Sequence, residues 1–163
     1  MTEYSQQPST PVDILSEEDI LLNQYQYAST GQRFLNYLID NLFMNYGLSY
    51  LTGYAVGIMI GTLFPDFAAG FQENRLSLTL VSLIVSILNY ILYYTLCEKL
   101  FNGYTLGKLI TGTRAIREDG KPLTFRNALL RSLSRLVPFE VFSGFQIRPW
   151  HDQWTGTMVV KSR

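Results

Sequence analysis

The chain has 163 residues, enough for one domain, with 47% apolar and only 16% charged side chains. That charged share lies below the roughly 25% usual in soluble domains. Formal net charge is zero, but residues 1–97 carry two basic and eight acidic side chains and residues 98–163 eleven and five. No nucleic-acid motif accompanies the basic half, so membrane orientation explains it and a nucleic-acid partner is not expected. Cys97 is the only cysteine, which excludes an intrachain disulfide or a Cys-based zinc site and reads as an inert buried thiol.

Residues 1–28 read as a tail: polar and Pro-containing to residue 13, then a short amphipathic helix with Ser16 as cap, Asp19 at the capping-box position and Leu15 with Ile20 as staple. A frayed tail is the competing reading. Without a basic region followed by an apolar one, no secretory signal is expected. From 29 to 161 the chain reads as a membrane domain. Ser29 or Thr30 can cap a first span over about 34–64. Residues 42–64 are free of charge, and at 1.5 Å each their 23 positions reach about 34 Å, enough to cross a bilayer.

Arg33 and Asp40 stand at the mouth of this span, two helical turns apart and pointing the same way. About 10 Å of helix axis separates them, so each needs a partner elsewhere. Inside the span, Gly53, Gly57 and Gly61 share one face and let another helix approach closely. That face serves either the second span or a second copy of the chain.

Residues 65–75 read as a short polar connection. A second span follows at about 76–97, where residues 76–96 carry no charge. Ser82, Ser86, Asn89 and Tyr93 recur on one face, a polar stripe expected to look at protein rather than lipid. Lys and Arg are scarce in 65–75 and frequent after 98. The positive-inside rule then puts both termini in the cytoplasm of a multi-pass plasma (cytoplasmic) membrane protein.

Gly103-Tyr-Thr-Leu-Gly107-Lys108 is one residue short of a P-loop and is followed by Leu109, so nucleotide binding is rejected. Weak alternation over 111–117 and the turn signal Glu118-Asp119-Gly120-Lys121 suggest a small β-hairpin. Thr124 can cap a helix over 125–137 that presents Phe125, Ala128, Leu129, Leu133 and Leu136 on one face, with Arg131 and Arg135 stacked on another. Such a helix suits the inner membrane surface, its arginines meeting lipid headgroups or, more specifically, Asp40. Residues 137–147 are apolar but too short to span, hence interfacial or re-entrant. Trp150 and Trp154 suit headgroup level.

Gly31-Gln-Arg-Phe-Leu-x-Tyr-Leu-Ile-Asp40, Thr105-Leu-Gly-Lys108, Gly112-Thr-Arg114, Asp119-Gly120, Leu123-Thr-Phe-Arg-x-Ala-Leu-Leu-Arg131 and His151-Asp-x-x-x-Gly-Thr-x-Val-Val160 occur in this order. Together they resemble the RDD family of membrane proteins, named for an Arg and two Asp residues, which here would be Arg33, Asp40 and Asp152. The resemblance implies an integral membrane protein, mostly bacterial, with transport or membrane-complex roles suggested for some members. Many members carry a longer third apolar segment before His-Asp. Its shortening here favours two spans plus surface helices.

The expected fold is therefore an all-α membrane protein with two transmembrane helices, cytoplasmic interfacial helices and a small β-hairpin. The candidate site is a charge cluster of Arg33, Asp40, Arg131, Arg135, His151 and Asp152 at the cytoplasmic face, pairing Arg33 with Asp152 and Asp40 with Arg131 or Arg135. A single His with scattered carboxylates offers no metal-ligand spacing, and no cofactor fingerprint or catalytic triad is present. A non-catalytic module that scaffolds or binds other membrane proteins, in contact with lipid and able to dimerise, is the first functional expectation. A cation or proton transporter acting as an oligomer is the alternative.

Overall fold

The computed structural model describes residues 25–73, 75–144, 146 and 148–162. The expected N-terminal amphipathic helix lies outside the described residues. The fold is mostly helical with one two-stranded sheet: α1 (Thr30–Leu42), a π-helical segment (Phe43–Leu48), α2 (Ser49–Leu63), α3 (Pro65–Glu73), α4 (Arg75–Leu100), α5 (Leu106–Thr111), β1 (Thr113–Arg117), α6 (Phe125–Ser134), α7 (Glu140–Ser143), α8 (Trp150–Gln153) and β2 (Thr157–Lys161).

Ser29 caps α1 in a capping box with Gln32, satisfying two otherwise orphan backbone donors. Residues 30–63 stay helical throughout, but their turns widen over 43–48, where the backbone adopts π geometry. The buried residues Asn36, Asp40 and Met44 lie four apart and face α4 and α5. Met44 packs on Tyr93 and Tyr94, and the Phe43 and Tyr93 rings sit 5.7 Å apart.

Helix α4 is 26 residues long and is the one described helix that is long, apolar and unbroken enough to cross a membrane. Only 11% of its most apolar window is buried inside the protein, which distinguishes it from the core helix of a soluble fold. Large apolar side chains along α2 and α4 are left facing outward, Tyr50 at 76% exposure and Leu76 at 67%.

Three expectations need correction. The 65–75 connection is not an open loop: Pro65 opens α3 with its ring-fixed φ, and Asp66 sits in the first turn, where the helix dipole favours an acid. The hairpin is not local either. The turn at Gly120 exists, with Gly120 N–H donating to the Arg117 carbonyl at 2.9 Å, but β1 pairs antiparallel with β2, forty residues away in sequence, from Thr113↔Lys161 to Arg117↔Thr157. Residues 26–28 flank β2 on its other side, Ala28 N–H donating to Val159 O at 2.9 Å. Ala28, Ala115, Leu123 and Val159 form the small core beneath.

The third correction is the orientation of α6. Thr124 caps it in a box with Asn127 as expected, but its arginine face points inward. Ala128, Arg131 and Ser132 are buried, whereas Phe125, Leu130, Leu133 and Leu136 are exposed. A helix that turns charge to the interior and leucine outward is the arrangement of a protein whose surroundings are apolar.

Candidate functional site

The centre of the site is Glu98, an acid in the last turn of α4 with no solvent exposure. Its Oε1 accepts from Lys108 Nζ at 2.6 Å and from Arg135 Nη2 at 2.8 Å, and its Oε2 accepts from Arg131 Nε at 2.8 Å. Arg131 reaches onward with Nη1 to Asp152 and Thr157. One carboxylate thus meets three cations, and a second carboxylate offsets part of the excess. Thr95 and Ser132 hydroxyls bond at 2.9 Å beside it, fastening α6 to α4. Arg135 also lies over the Tyr94 ring, 4.2 Å from its centroid.

Asp40 is fully buried and, among the described residues, forms no ion pair with an arginine. Its Oδ1 accepts from the Tyr93 hydroxyl and the Gly107 N–H, both at 2.8 Å, and its Oδ2 accepts from the Thr105 hydroxyl at 2.7 Å. Gly107 allows this because α5 lies against α1 so closely that a Cβ there would fall on the Asn36 carbonyl. Thr105 caps α5 as well. The glycine-rich turn that imitates a P-loop therefore cradles an anion after all, but the anion is the chain's own Asp40.

His151 lies against Glu140 through Nδ1, and its Nε2 is 3.5 Å from Asp152 Oδ1. Burial pulls the imidazole below its usual pKa, against the pull of Asp152, and Arg135 and Arg131 push it further down. Burial would raise the Asp152 carboxyl, but Arg131 and then His151 hold it below the ordinary carboxylate value. Burial likewise opposes charge on Arg135, and Glu98 more than restores it. Lys108 goes the other way: burial outweighs Glu98 and brings the ammonium down to about 8. Arg33 donates through Nη1 to the Gln146 carbonyl at 3.1 Å and lies within the electrostatic reach of Asp152.

The six charged residues singled out from sequence do lie near one another, yet their pairing differs from expectation. Asp152 is bound by Arg131, and Asp40 by two hydroxyls and an amide. Glu98 and Lys108 were missed. A signal for Glu98 existed: two like charges at i and i+4 on α6 demand an acid, and Glu98 is the lone acid at the end of the uncharged span. Among the described residues, nothing lies within 4 Å of where a side chain would begin at Gly53, Gly57 or Gly61, so these glycines do not pack closely against α4. The polar stripe divides in two. Asn89 and Tyr93 face protein, Asn89 donating to the Thr52 hydroxyl at 2.6 Å, while Ser82 and Ser86 are exposed in a groove opposite Gly53 and Gly57.

Beside the cluster a cavity of about 250 Å³ opens between α1, α4 and residues 135–151; Arg33, Asp40, Lys108, Arg135, Glu140 and His151 reach its wall.

An apolar helix that faces outward, its end tied to the rest of the chain by buried ion pairs, is the arrangement of a helical membrane domain. A sequence model of the RDD family matches residues 27–156, most of the chain. The chain belongs to the RDD family. Searches of curated proteins and of solved structures found no match.

Proposed function

We infer that the protein is a non-catalytic membrane module that binds other membrane proteins or a second copy of itself. In this reading the chain crosses the bilayer twice, through residues 30–63 and through α4, and both termini are cytoplasmic. The 34 helical residues of the first crossing reach about 50 Å, ample even with tilt. The Glu98 network then serves as a clip that holds the cytoplasmic segment on the base of the two helices. One observation carries the binding role: the face of Gly53, Gly57 and Gly61 suits close helix approach, and among the described residues nothing lies within 4 Å of where side chains there would begin.

Crosslinking of the full chain in mild detergent, with mass identification of whatever is captured, tests this. Capture through the glycine face is expected, and Gly57→Ile should abolish it. A chain that stays alone at every detergent ratio, or a Gly57→Ile variant that associates normally, would sink the reading.

Transport by an oligomer is a second reading with one observation behind it, since Asp40, Glu140 and His151 wall one cavity. Against it, both Asp40 oxygens already accept hydrogen bonds from the Tyr93 and Thr105 hydroxyls and the Gly107 amide. Proteoliposome flux of Na⁺ or protons that vanishes in Asp40→Asn would favour transport over docking.

A further inference from the structure

The two short helices that carry cations to Glu98 are both inverted in polarity. Lys108 of α5 and Arg131 of α6 point inward to the Glu98 carboxylate. The exposed positions of α5 are Leu106, Leu109 and Ile110, the last at 63%. On α6, Arg126 is the exposed charge of the first turn, and the exposed positions after it are Leu130 and Leu133. Leu136, Val137 and Phe139 carry the same surface past the helix end. A helix lying against water has the opposite arrangement. An exposed apolar surface of this extent marks contact with a protein or a lipid phase.

Continuity with α4 separates the two. Leu88, Leu92, Leu96 and Leu100 stand four apart, hence on one face of α4, and all are exposed. This row runs past Glu98 and passes through the exposed Phe101 to Leu106 of α5. Helix α5 packs on α1, whereas α6 packs on α4, so the leucines belong to two flanks of the base. A fluid apolar phase reaches both flanks without complementary shape; a protein partner would have to wrap the base. Charge is gathered elsewhere, on Arg117, Asp119 and Lys121 at the turn. Lys99, next to Glu98 and exposed, sends its ammonium to the Leu123 carbonyl at 3.4 Å, just beyond that turn. A lysine at an interface lies this way, its stem along apolar surface and its charge toward water. Trp154, exposed and stacked on Trp150 at 5.7 Å, is of the type that settles among headgroups.

We propose that α5 and α6 are embedded in the bilayer leaflet at the Glu98 end of α4. Their leucines lie among the upper acyl chains, and the ion pairs of Glu98 with Lys108 and Arg131 are roofed by lipid. Amphipathic helices of this kind sink their apolar face about 5–10 Å into the boundary between headgroups and chains. The 26 residues of α4 reach about 39 Å against a hydrocarbon core of about 30 Å, so its last turns fall in that layer, where α5 and α6 join it. The proposal rests on α4 crossing the membrane. It requires neither the glycine face nor either choice of side, so docking through that face and embedding here succeed or fail separately.

The test places the full chain, with Cys97→Ala, in nanodiscs of dioleoyl phosphatidylcholine that hold one chain each and expose both membrane faces to buffer. Leu109→Cys, Leu133→Cys and Lys121→Cys each carry one polarity-sensitive fluorophore. The Lys121 side chain is 73% exposed at the turn and serves as the water-side reference. Iodide should quench the probes at 109 and 133 at least about fivefold less than the probe at 121. A lipid nitroxide near the headgroup should quench both more strongly than one near the chain ends, and neither nitroxide should reach 121. Iodide quenching at 109 and 133 equal to that at 121 overturns the proposal and leaves a protein to cover the leucines. Protection of one helix without the other overturns it too, as does stronger quenching from the chain ends. Where either cysteine variant fails to fold, Ile110→Cys or Leu130→Cys on the same exposed face replaces it. Gly57→Ile should leave all these readings unchanged.

Discussion

The Lys108 ammonium sits 2.6 Å from Glu98 Oε1 with both side chains shut off from solvent. The two are ten residues apart, joined through the turn at Gly103, which runs at φ +91° with no room for a side chain over Ala115. This ion pair anchors α5 beneath the end of α4, and α5 in turn presents Gly107 to Asp40.

Glu98 and Lys108 should not respond equally to replacement. Glu98→Gln leaves Lys108, Arg131 and Arg135 buried around a neutral amide. Breaking one buried pair in this way costs about 3–5 kcal/mol, and here three are weakened at once. Lys108→Met keeps the apolar stem and leaves Glu98 with both arginines, so its cost should stay below about 3 kcal/mol. Thermal unfolding in detergent measures both. A Tm of Glu98→Gln above that of Lys108→Met would contradict the central role given to Glu98.

Asp40→Asn keeps the shape but replaces one acceptor oxygen with an NH₂ group that faces donors. Tyr93, Thr105 and Gly107 cannot all be satisfied, and the loss of charge-assisted bonds should cost about 2–3 kcal/mol. Amide exchange at Gly107 should accelerate with it. Unchanged protection at Gly107 would mean that the carboxylate does not hold α5.

Gly107→Ala probes the same contact from the other side. Its methyl group would meet the Asn36 backbone, with the Cα at 2.9 Å, and neither helix backbone can yield cheaply. Destabilisation of about 1–3 kcal/mol is expected, against near-neutrality for Gly53→Ala, whose Cβ would meet nothing within 4 Å among the described residues. Equal Tm values for the two would refute the close packing of α5 on α1.

Two pH windows should be visible. His151 has a folded pKa below the usual 6.5, so between those values the unfolded chain binds more protons, and stability falls as pH drops below 6.5. Lys108 has a folded value of about 8 against 10.5. The unfolded chain again binds more protons between these, so this group's contribution to stability grows as pH rises from 8 to 10.5. Difference curves of Tm against pH, wild type minus His151→Gln and wild type minus Lys108→Met, should each slope upward in its own window. Flat differences would show that neither burial changes proton binding.

Local signals in the chain were enough for the two apolar helical stretches, the caps at Ser29 and Thr124 and the family, whereas α6 ends at Ser134, short of the stop expected at Pro138. These depend on periodicity, run length and side chains a few residues apart. Six charged residues were singled out from sequence, because charge near an apolar span must be compensated, but the central Glu98 and its partner Lys108 were not. Which charge meets which was decided only by the tertiary structure. Arg131 can answer Asp40, Glu98 or Asp152 with equal chemistry, and the choice depends on how α6 rolls against α4. The same holds for β1, which lies next to a turn suited to a hairpin yet finds its partner in β2 once the C-terminal segment is drawn in. Long-range pairing and helix rotation are set by the sum of buried contacts, and no single stretch of sequence carries that sum.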